Sequence, residues 1–255
     1  MMQSFFPFFE ELNRLAGEIV RRYYGAPIVV DRKADQSPVT RADREVEERL
    51  RAEIEKRFPD HSVLGEEFGE TKKSSAYRWV IDPIDGTQSF VLRTPLFGTL
   101  IALERDGVPV LGSVYLPVQD ELLIGSAETG TFLNGERCYV SRTAELGAAK
   151  LMLTDPTPLA RPEPDAGLQR LCRGAGLVRG FGDCYGYFLV ACGAADVMLD
   201  PIVNHYDVAP LWPILAGAGG AFTDWEGRTD YGATQALATN GLLHDEVVRA
   251  LNAPG

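Results

Sequence analysis

Trp79-Val80-Ile81-Asp82-Pro83-Ile84-Asp85-Gly86-Thr87 is the stretch on which the reading of this chain turns. Residues 79–81 read as a short buried strand ending at Asp82, followed by a turn that carries two aspartates three positions apart and then Gly-Thr. One reading is local: Asp first in a β-turn, Pro second, Gly as breaker. The other is chemical. Two carboxylates on one tight turn can each hold a different hard cation, or share one, and Gly86 and Thr87 can offer backbone N–H groups to a phosphate where the next segment starts. The spacing does not fit the alternate-residue ligands of an EF-hand loop.

Upstream lie two amphipathic helices. Over residues 8–23, Leu12, Leu15, Ile19 and Tyr23 recur at three-and-four spacing. In the second helix Ala42, Val46, Leu50, Ile54 and Phe58 fall every four residues, with Thr40 as N-cap and Pro59 as stop. Thr40 and Asp43 have the spacing of a capping box, which normally takes Glu or Gln at its second position. Downstream the pattern changes to short β runs at 99–103, 108–116, 122–126, 131–133 and 137–140, broken by turns that include Asn134-Gly135: an antiparallel meander. After about residue 141, strands at 151–154, 197–199, 221–223 and 237–239 alternate with helices around 184–192, 208–218 and 242–251. The expected architecture is a layered α/β protein, with an N-terminal α+β domain over 1–144 and a C-terminal α/β domain over 145–255. The proline-rich run 155–164 reads as a surface loop, and no internal repeat is visible.

The 255 residues are 45% hydrophobic and 24% charged, ordinary for a globular enzyme and far from disorder. No apolar run approaches the roughly 20 residues of a membrane span. The four cysteines match no zinc, redox or disulfide template, so they are expected to be reduced and mostly buried, in a cytoplasmic protein. A formal net charge of −11 argues against nucleic-acid and anionic-membrane partners. It would repel a phosphorylated substrate too, and a bound divalent cation is the usual way to invert the field locally.

Two further acidic features have bland and chemical readings. Gly65-Glu66-Glu67 follows the apolar Val63-Leu64 and is, by itself, more readily solvated loop charge than a ligand pair. Asp207, in Tyr206-Asp207-Val208-Ala209, precedes an apolar run ending in Ala218-Gly219-Gly220, and is a helix cap or a functional acid. The histidines His61, His205 and His244 have no ligand spacing and read as structural, and Trp79, Trp212 and Trp225 as core.

Taken together these features resemble the inositol monophosphatase family of metal-dependent, lithium-sensitive phosphatases over nearly the whole chain. The resemblance runs through Pro38-Val39-Thr40-Arg41-Ala42-Asp43, Gly65-Glu66-Glu67, the Asp82-to-Thr87 signature, Leu133-Asn134-Gly135, and the aspartate leading into Ala218-Gly219-Gly220. It implies an αβαβα sandwich and hydrolysis of a small phosphate monoester. Glu66, Asp82 and the Ile84 carbonyl would hold one Mg2+, and Asp82, Asp85 and Asp207 a second, with a third metal left open. Thr87 and Glu66 would orient and deprotonate the attacking water, Asp43 would hold Thr87 from behind, and Gly86 and Thr87 would meet the phosphate. A homodimer inhibited by lithium is also implied.

Within the family, Gly182-Asp183-Cys184-Tyr185, Thr223-Asp224-Trp225-x-Gly227, and Tyr206 where most members have Trp look like the histidinol-phosphatase branch. An extra carboxylate at Asp183 has no charge to meet in a neutral polyol, whereas histidinol phosphate carries an ammonium group. Asp200 stands where the family commonly has a substrate-contacting Glu, and Asp85 is also expected to touch substrate. The local alternatives are that Asp183 caps the helix beginning near Cys184 and that Asp200 ends a strand before Pro201. The expected reaction is histidinol-phosphate hydrolysis. The alternatives are an inositol-1-phosphate or other polyol phosphatase, or, from another class, a catalytically idle regulatory protein.

Overall fold

Thr40 opens the second helix through a capping box. Its hydroxyl accepts from Ala42 N–H, and the Asp43 carboxylate accepts from Thr40 N–H at 2.8 Å. Asp therefore serves in the box despite its short side chain. The computed structural model describes residues 2–27, 30–32, 38–154 and 166–253, so the proline-rich run 155–164 lies outside the described residues.

In chain order the first half contains α1 (Phe6–Tyr24), β1 (Val30–Arg32), β2 (Pro38–Thr40), α2 (Arg41–Arg57), β3 (Ser62–Gly65), β4 (Gly69–Thr71), β5 (Tyr77–Asp85) and α3 (Thr87–Val91). It continues through the meander β6 (Gly98–Arg105), β7 (Val108–Leu116), β8 (Glu121–Ser126), β9 (Gly130–Leu133) and β10 (Glu136–Arg137). Then come β11 (Lys150–Leu153), α4 (Ala166–Gly174), β12 (Leu177–Arg179), α5 (Asp183–Ala191), β13 (Val197–Asp200), α6 (His205–Val208), α7 (Leu211–Ala218), β14 (Ala221–Thr223), β15 (Ala236–Thr239) and α8 (His244–Asn252).

Among the described residues the larger sheet has eight strands in the order β10-β9-β8-β7-β6-β5-β3-β4, and the smaller has five, β12-β11-β13-β15-β14. The first is antiparallel except for the β3–β5 pair; in the second, β11 runs parallel to β12 and β13 while β15 runs antiparallel to β13 and β14. Apolar cores fill the space between five layers of helices and sheets. The outermost packs Phe9, Leu12 and Val20 of α1 and Val46, Leu50 and Ile54 of α2 against Trp79, Ile81 and Ile101. The middle core lies between the sheets, where Tyr187 and Phe188 of α5 and Leu211 and Leu215 of α7 meet Val114, Leu123 and Met198. The last covers the far face of the second sheet with Leu168 and Leu171 of α4 and Val247 of α8. This is the expected αβαβα sandwich.

Several boundaries move, each for a local reason. The strand expected to end at Asp82 runs on to Asp85: Asp82 pairs with Leu100, Asp85 rejoins the ladder opposite Gly98, and Pro83-Ile84 form an irregularity between them. Pro83 has no N–H for the ladder, and its carbonyl is satisfied instead by the Thr99 hydroxyl at 2.8 Å. The motif is thus a bulged strand end and not a free β-turn. The strand expected over 137–140 shrinks to Glu136–Arg137 because Val140 N–H turns away to the Ala218 carbonyl. The helix expected over 208–218 is split, with Val208 ending α6 and Pro210 standing as N-cap of α7. Asn134 (φ 48°) and Gly135 (φ 84°) make the expected tight hairpin between β9 and β10. The cysteines are free, but of the four only Cys184 is buried. Trp79 and Trp225 are buried, while Trp212 packs at the edge of the middle core.

Candidate active site

The bulge in β5 decides where its carboxylates go. Ile84 N–H donates to Asp82 Oδ1 at 3.1 Å, so the bulged backbone itself orients the first aspartate. Asp85 follows at the strand end, and Gly86 then turns the chain into α3 with φ 84°, the left-handed region where a β-carbon is strained. From the second half of the chain comes α6, whose N-terminus is closed by Asn204 and by Asp207 Oδ2 accepting from Asn204 N–H at 2.7 Å. Asp207 is thus part of the cap of this helix, as its local reading expects. One oxygen each from Asp82, Asp85 and Asp207 lies within 4.8 Å of the others.

Three carboxylates so close are electrostatically unfavourable without a cation. Burial, and then the Glu66 charge, push Asp82 well above the ordinary carboxylate range; burial and the charge of Asp183 do the same to Asp85. Burial raises Asp207 to about 6. Glu66, on the loop after β3, is hydrogen-bonded to Asp82. The arrangement is an acidic cluster that retains protons until a cation replaces them. Its all-oxygen, carboxylate-rich donor set suits Mg2+, Ca2+ or Mn2+ and not a thiolate metal.

Two further carboxylates, Asp183 and Asp200, gather beside it. Thr154, just past β11, accepts Asp183 N–H at 2.9 Å and donates its hydroxyl to Asp200 Oδ2 at 2.8 Å. Asp183 Oδ2 lies close over Gly86. The next residue, Cys184, gives its N–H to Asp85 Oδ2, tying α5 to the signature motif. Burial raises Asp183 to about 6 and Asp200 to about 7. Asp183 does not cap its helix: Gly182 is the N-cap, no side chain caps it, and Asp183 is the first helical residue, with φ 52°. Asp200 ends β13 as expected, and its Oδ1 also accepts Ile202 N–H.

A model of the inositol monophosphatase family matches residues 1–253. Among curated relatives, a histidinol-phosphatase of Chlorobaculum parvum is 42% identical over 219 residues, 86% of this chain and 85% of that protein. A histidinol-phosphatase of Mycobacterium tuberculosis is 39% identical over 244 residues, covering 93% and 94%. The solved inositol monophosphatase of Anabaena (Nostoc) superposes with a TM-score of 0.85 at 30% identity, covering 98% of this chain and 96% of that one. The chain belongs to the inositol monophosphatase family.

It is accordingly a phosphoric monoester hydrolase of a metal-dependent family acting on small phosphate monoesters, and the catalytically idle alternative finds no support. No described helix is long and apolar enough to cross a membrane.

One expectation drawn from the family resemblance is not met in the geometry. No hydrogen bond joins Asp43 to Thr87 among the described residues. The Asp43 carboxylate takes both the N–H and the hydroxyl of Thr40, and the Thr87 hydroxyl donates to the Ile84 carbonyl at 3.0 Å. Both Thr40 bonds end on Oδ2 of Asp43. Asp43 is nonetheless buried and raised to about 6, chiefly by that burial.

Sequence reasoning also passed over the groups that hold this family member's site together. Glu47 of α2 is fully buried and accepts the N–H groups of Glu67 (2.7 Å) and Phe68 (3.1 Å), shaping the loop that presents Glu66. Arg51 Nε pairs with it at 2.8 Å. Glu104 of β6, also fully buried, binds Arg78 and His205 at 2.6 Å each, and His205 opens the helix carrying Asp207. His205 is therefore structural, as its lack of ligand spacing suggests. The signal for Glu47 was the i, i+4 series Asp43, Glu47, Arg51, a charged row flanking the apolar stripe. Thr154 carried no sequence signal.

Proposed function

We propose that the chain hydrolyses histidinol phosphate to histidinol and inorganic phosphate with Mg2+. The observation that carries this reading is the carboxylate pair Asp183 and Asp200, joined through Thr154 and set beside Asp85. Burial raises the pKa of both acids, so each gains from a cationic partner inside the pocket. The ammonium group of histidinol phosphate is such a partner, and inositol phosphate has none. Two relatives named histidinol-phosphatase, at 42% and 39% identity, support the same substrate.

In this reading Glu66, Asp82 and the Ile84 carbonyl hold one Mg2+, and Asp82, Asp85 and Asp207 a second. Bound there, the ions supply charge neutralisation for the transferring phosphoryl group, the main requirement in phosphate-ester hydrolysis. The rest is the work of the chain. The Thr87 hydroxyl spends its proton on the Ile84 carbonyl, which leaves its oxygen free to accept a hydrogen from the attacking water while Glu66 takes the other. Gly86 and Thr87 present backbone N–H groups to the phosphate. Asp183 and Asp200 orient the amino alcohol. Asp43 acts at one remove, by fixing the start of α2, whose Glu47 shapes the Glu66 loop. Lithium inhibition, a homodimeric state and division into domains at about residue 144 belong to the same proposal.

A phosphate-release panel tests it. Histidinol phosphate should be preferred by kcat/KM over inositol 1-phosphate and a nucleoside monophosphate. A preference for inositol 1-phosphate would transfer the assignment to the polyol phosphatases.

A further inference from the structure

We propose that Cys138 and Cys192 form a redox-active thiol pair that closes to a disulfide, a covalent modification site tying the edge of the larger sheet to the end of α5. This is independent of the substrate. The two cysteines lie 54 positions apart in sequence, yet their side chains interact with each other in the fold. Cys138 directly follows β10, and Cys192 is the C-cap of α5. Their flanking backbones are in contact: a β-carbon on Gly193 (φ 71°) would stand 2.8 Å from the Tyr139 carbonyl and 3.1 Å from Ser141 N. Both side chains are half-buried at the rim of the middle core. Two cysteines that pack against the same core, each next to one of two touching backbone segments, are placed for side-chain rotation to bring their sulfurs together.

The four thiols differ in reactivity. Cys138 is shifted down, by the Cys192 hydrogen bond and then by the Arg137 guanidinium. Cys172 and Cys184 are shifted up by burial, and Cys192 by its bond to Cys138. Cys138 is thus the nucleophile and Cys192 the resolving thiol. With a small-molecule disulfide as oxidant, the Cys138 thiolate attacks one sulfur and expels the first small thiolate. Cys192 gives up its proton, and its thiolate attacks the mixed disulfide at Cys138 and expels the second. Two protein thiols lose two electrons, and one small disulfide becomes two small thiols. A reversible pair of this kind fits a reducing compartment, where disulfides are transient and responsive.

The test is incubation of the full chain with glutathione disulfide, followed by alkylation and peptide mass spectrometry. Free thiols should fall from the four of the reduced protein to two, with a Cys138–Cys192 linked peptide and no retained glutathione. C192S should keep glutathione on Cys138, C138S should take none at Cys192, and C172S should oxidise as the parent does. An unchanged thiol count, a lasting glutathione adduct on Cys138 of the parent protein, or linkage through Cys172 or Cys184 would overturn the proposal, and these readouts on the parent do not depend on any variant folding.

Discussion

Oδ2 of Asp183 stands 3.1 Å from the point where a β-carbon on Gly86 would sit. Asp183 therefore closes directly over Gly86 of the signature motif, and a methyl group there would press on it. The Leu96 carbonyl is equally close on the same side, at 3.1 Å. Backbone cannot withdraw as a flexible side chain can.

Gly86→Ala should therefore be damaging on two counts, steric contact and a φ of 84° that alanine adopts at a cost of about 1–2 kcal/mol. Urea unfolding should show a loss of at least that size, and phosphate release should fall with it as Thr87 and Asp183 shift. A variant with an unchanged midpoint and rate would show that this turn tolerates a side chain.

Asp207→Asn separates the two duties of Asp207. Its cap needs only an acceptor for Asn204 N–H, which an amide oxygen still supplies. A cation needs the charge. The melting temperature without metal should change little, while turnover at saturating Mg2+ should drop by more than the ~10–100-fold typical of a residue supporting a ligand. Chelation should abolish activity of the parent enzyme, and full turnover in metal-stripped buffer would end the metal reading.

The pH dependence of metal binding has a definite sign. Asp207 rises from 3.8 to about 6 on folding, and burial raises Asp82 and Asp85 as well. Groups whose carboxyl pKa is raised bind more protons folded than unfolded, so their contribution without metal weakens as pH climbs from about 4 through 6. Mg2+ must displace those protons. The stabilisation by Mg2+, measured as the melting temperature with metal minus that with chelator, should be small at pH 5 and grow toward pH 7.5. Subtracting the two curves removes carboxylates outside the cluster, such as Asp224, whose lowered pKa works in the opposite direction. A flat or inverted difference would mean that the cluster does not take the ion.

How much of this was legible depended on sequence distance. The α2 stripe and its Thr40 cap were readable because four-residue spacing and capping chemistry are local. The signature carboxylates were recognisable, but the bulge that aims Asp82 depends on ladder pairing with β6, and the chain was expected to leave the sheet at Asp82. Glu47 reaches a loop 20 residues away, and Thr154 reaches Asp183 and Asp200 at separations of 29 and 46. Such contacts follow from layer packing, which no local pattern encodes. The expected Asp43–Thr87 link is not among the described hydrogen bonds: Oδ2 of Asp43 accepts from Thr40, and the Thr87 hydroxyl donates to the Ile84 carbonyl.

Thr87→Ala removes the hydroxyl now bound to the Ile84 carbonyl. If that hydroxyl positions the attacking water, turnover should fall on the order of 10²–10³, as with other preorganised groups, with Mg2+ affinity nearly unchanged. Calorimetry showing Mg2+ binding collapse would instead make the Thr87–Ile84 bond a support for the metal site.

Asp183→Asn tests substrate choice. Asp183 has φ 52°, and asparagine is among the few residues that tolerate that conformation as well as aspartate does. Its N–H still reaches Thr154 Oγ1, so the backbone of the pocket should hold. What disappears is the charge facing the ammonium group, and a hydrogen bond to a charged group contributes roughly 1.5–3 kcal/mol. At about 1.4 kcal/mol per factor of ten, kcat/KM for histidinol phosphate should fall about ten- to a hundredfold. A phosphate ester of an uncharged polyol loses no such bond and gains from removal of a partly buried carboxylate, so its rate should hold or rise. Measuring both substrates on both proteins cancels general damage to folding or metal binding. Equal losses on the two substrates would reduce Asp183 to a structural residue at the start of α5 and leave the cationic substrate without its recognition group.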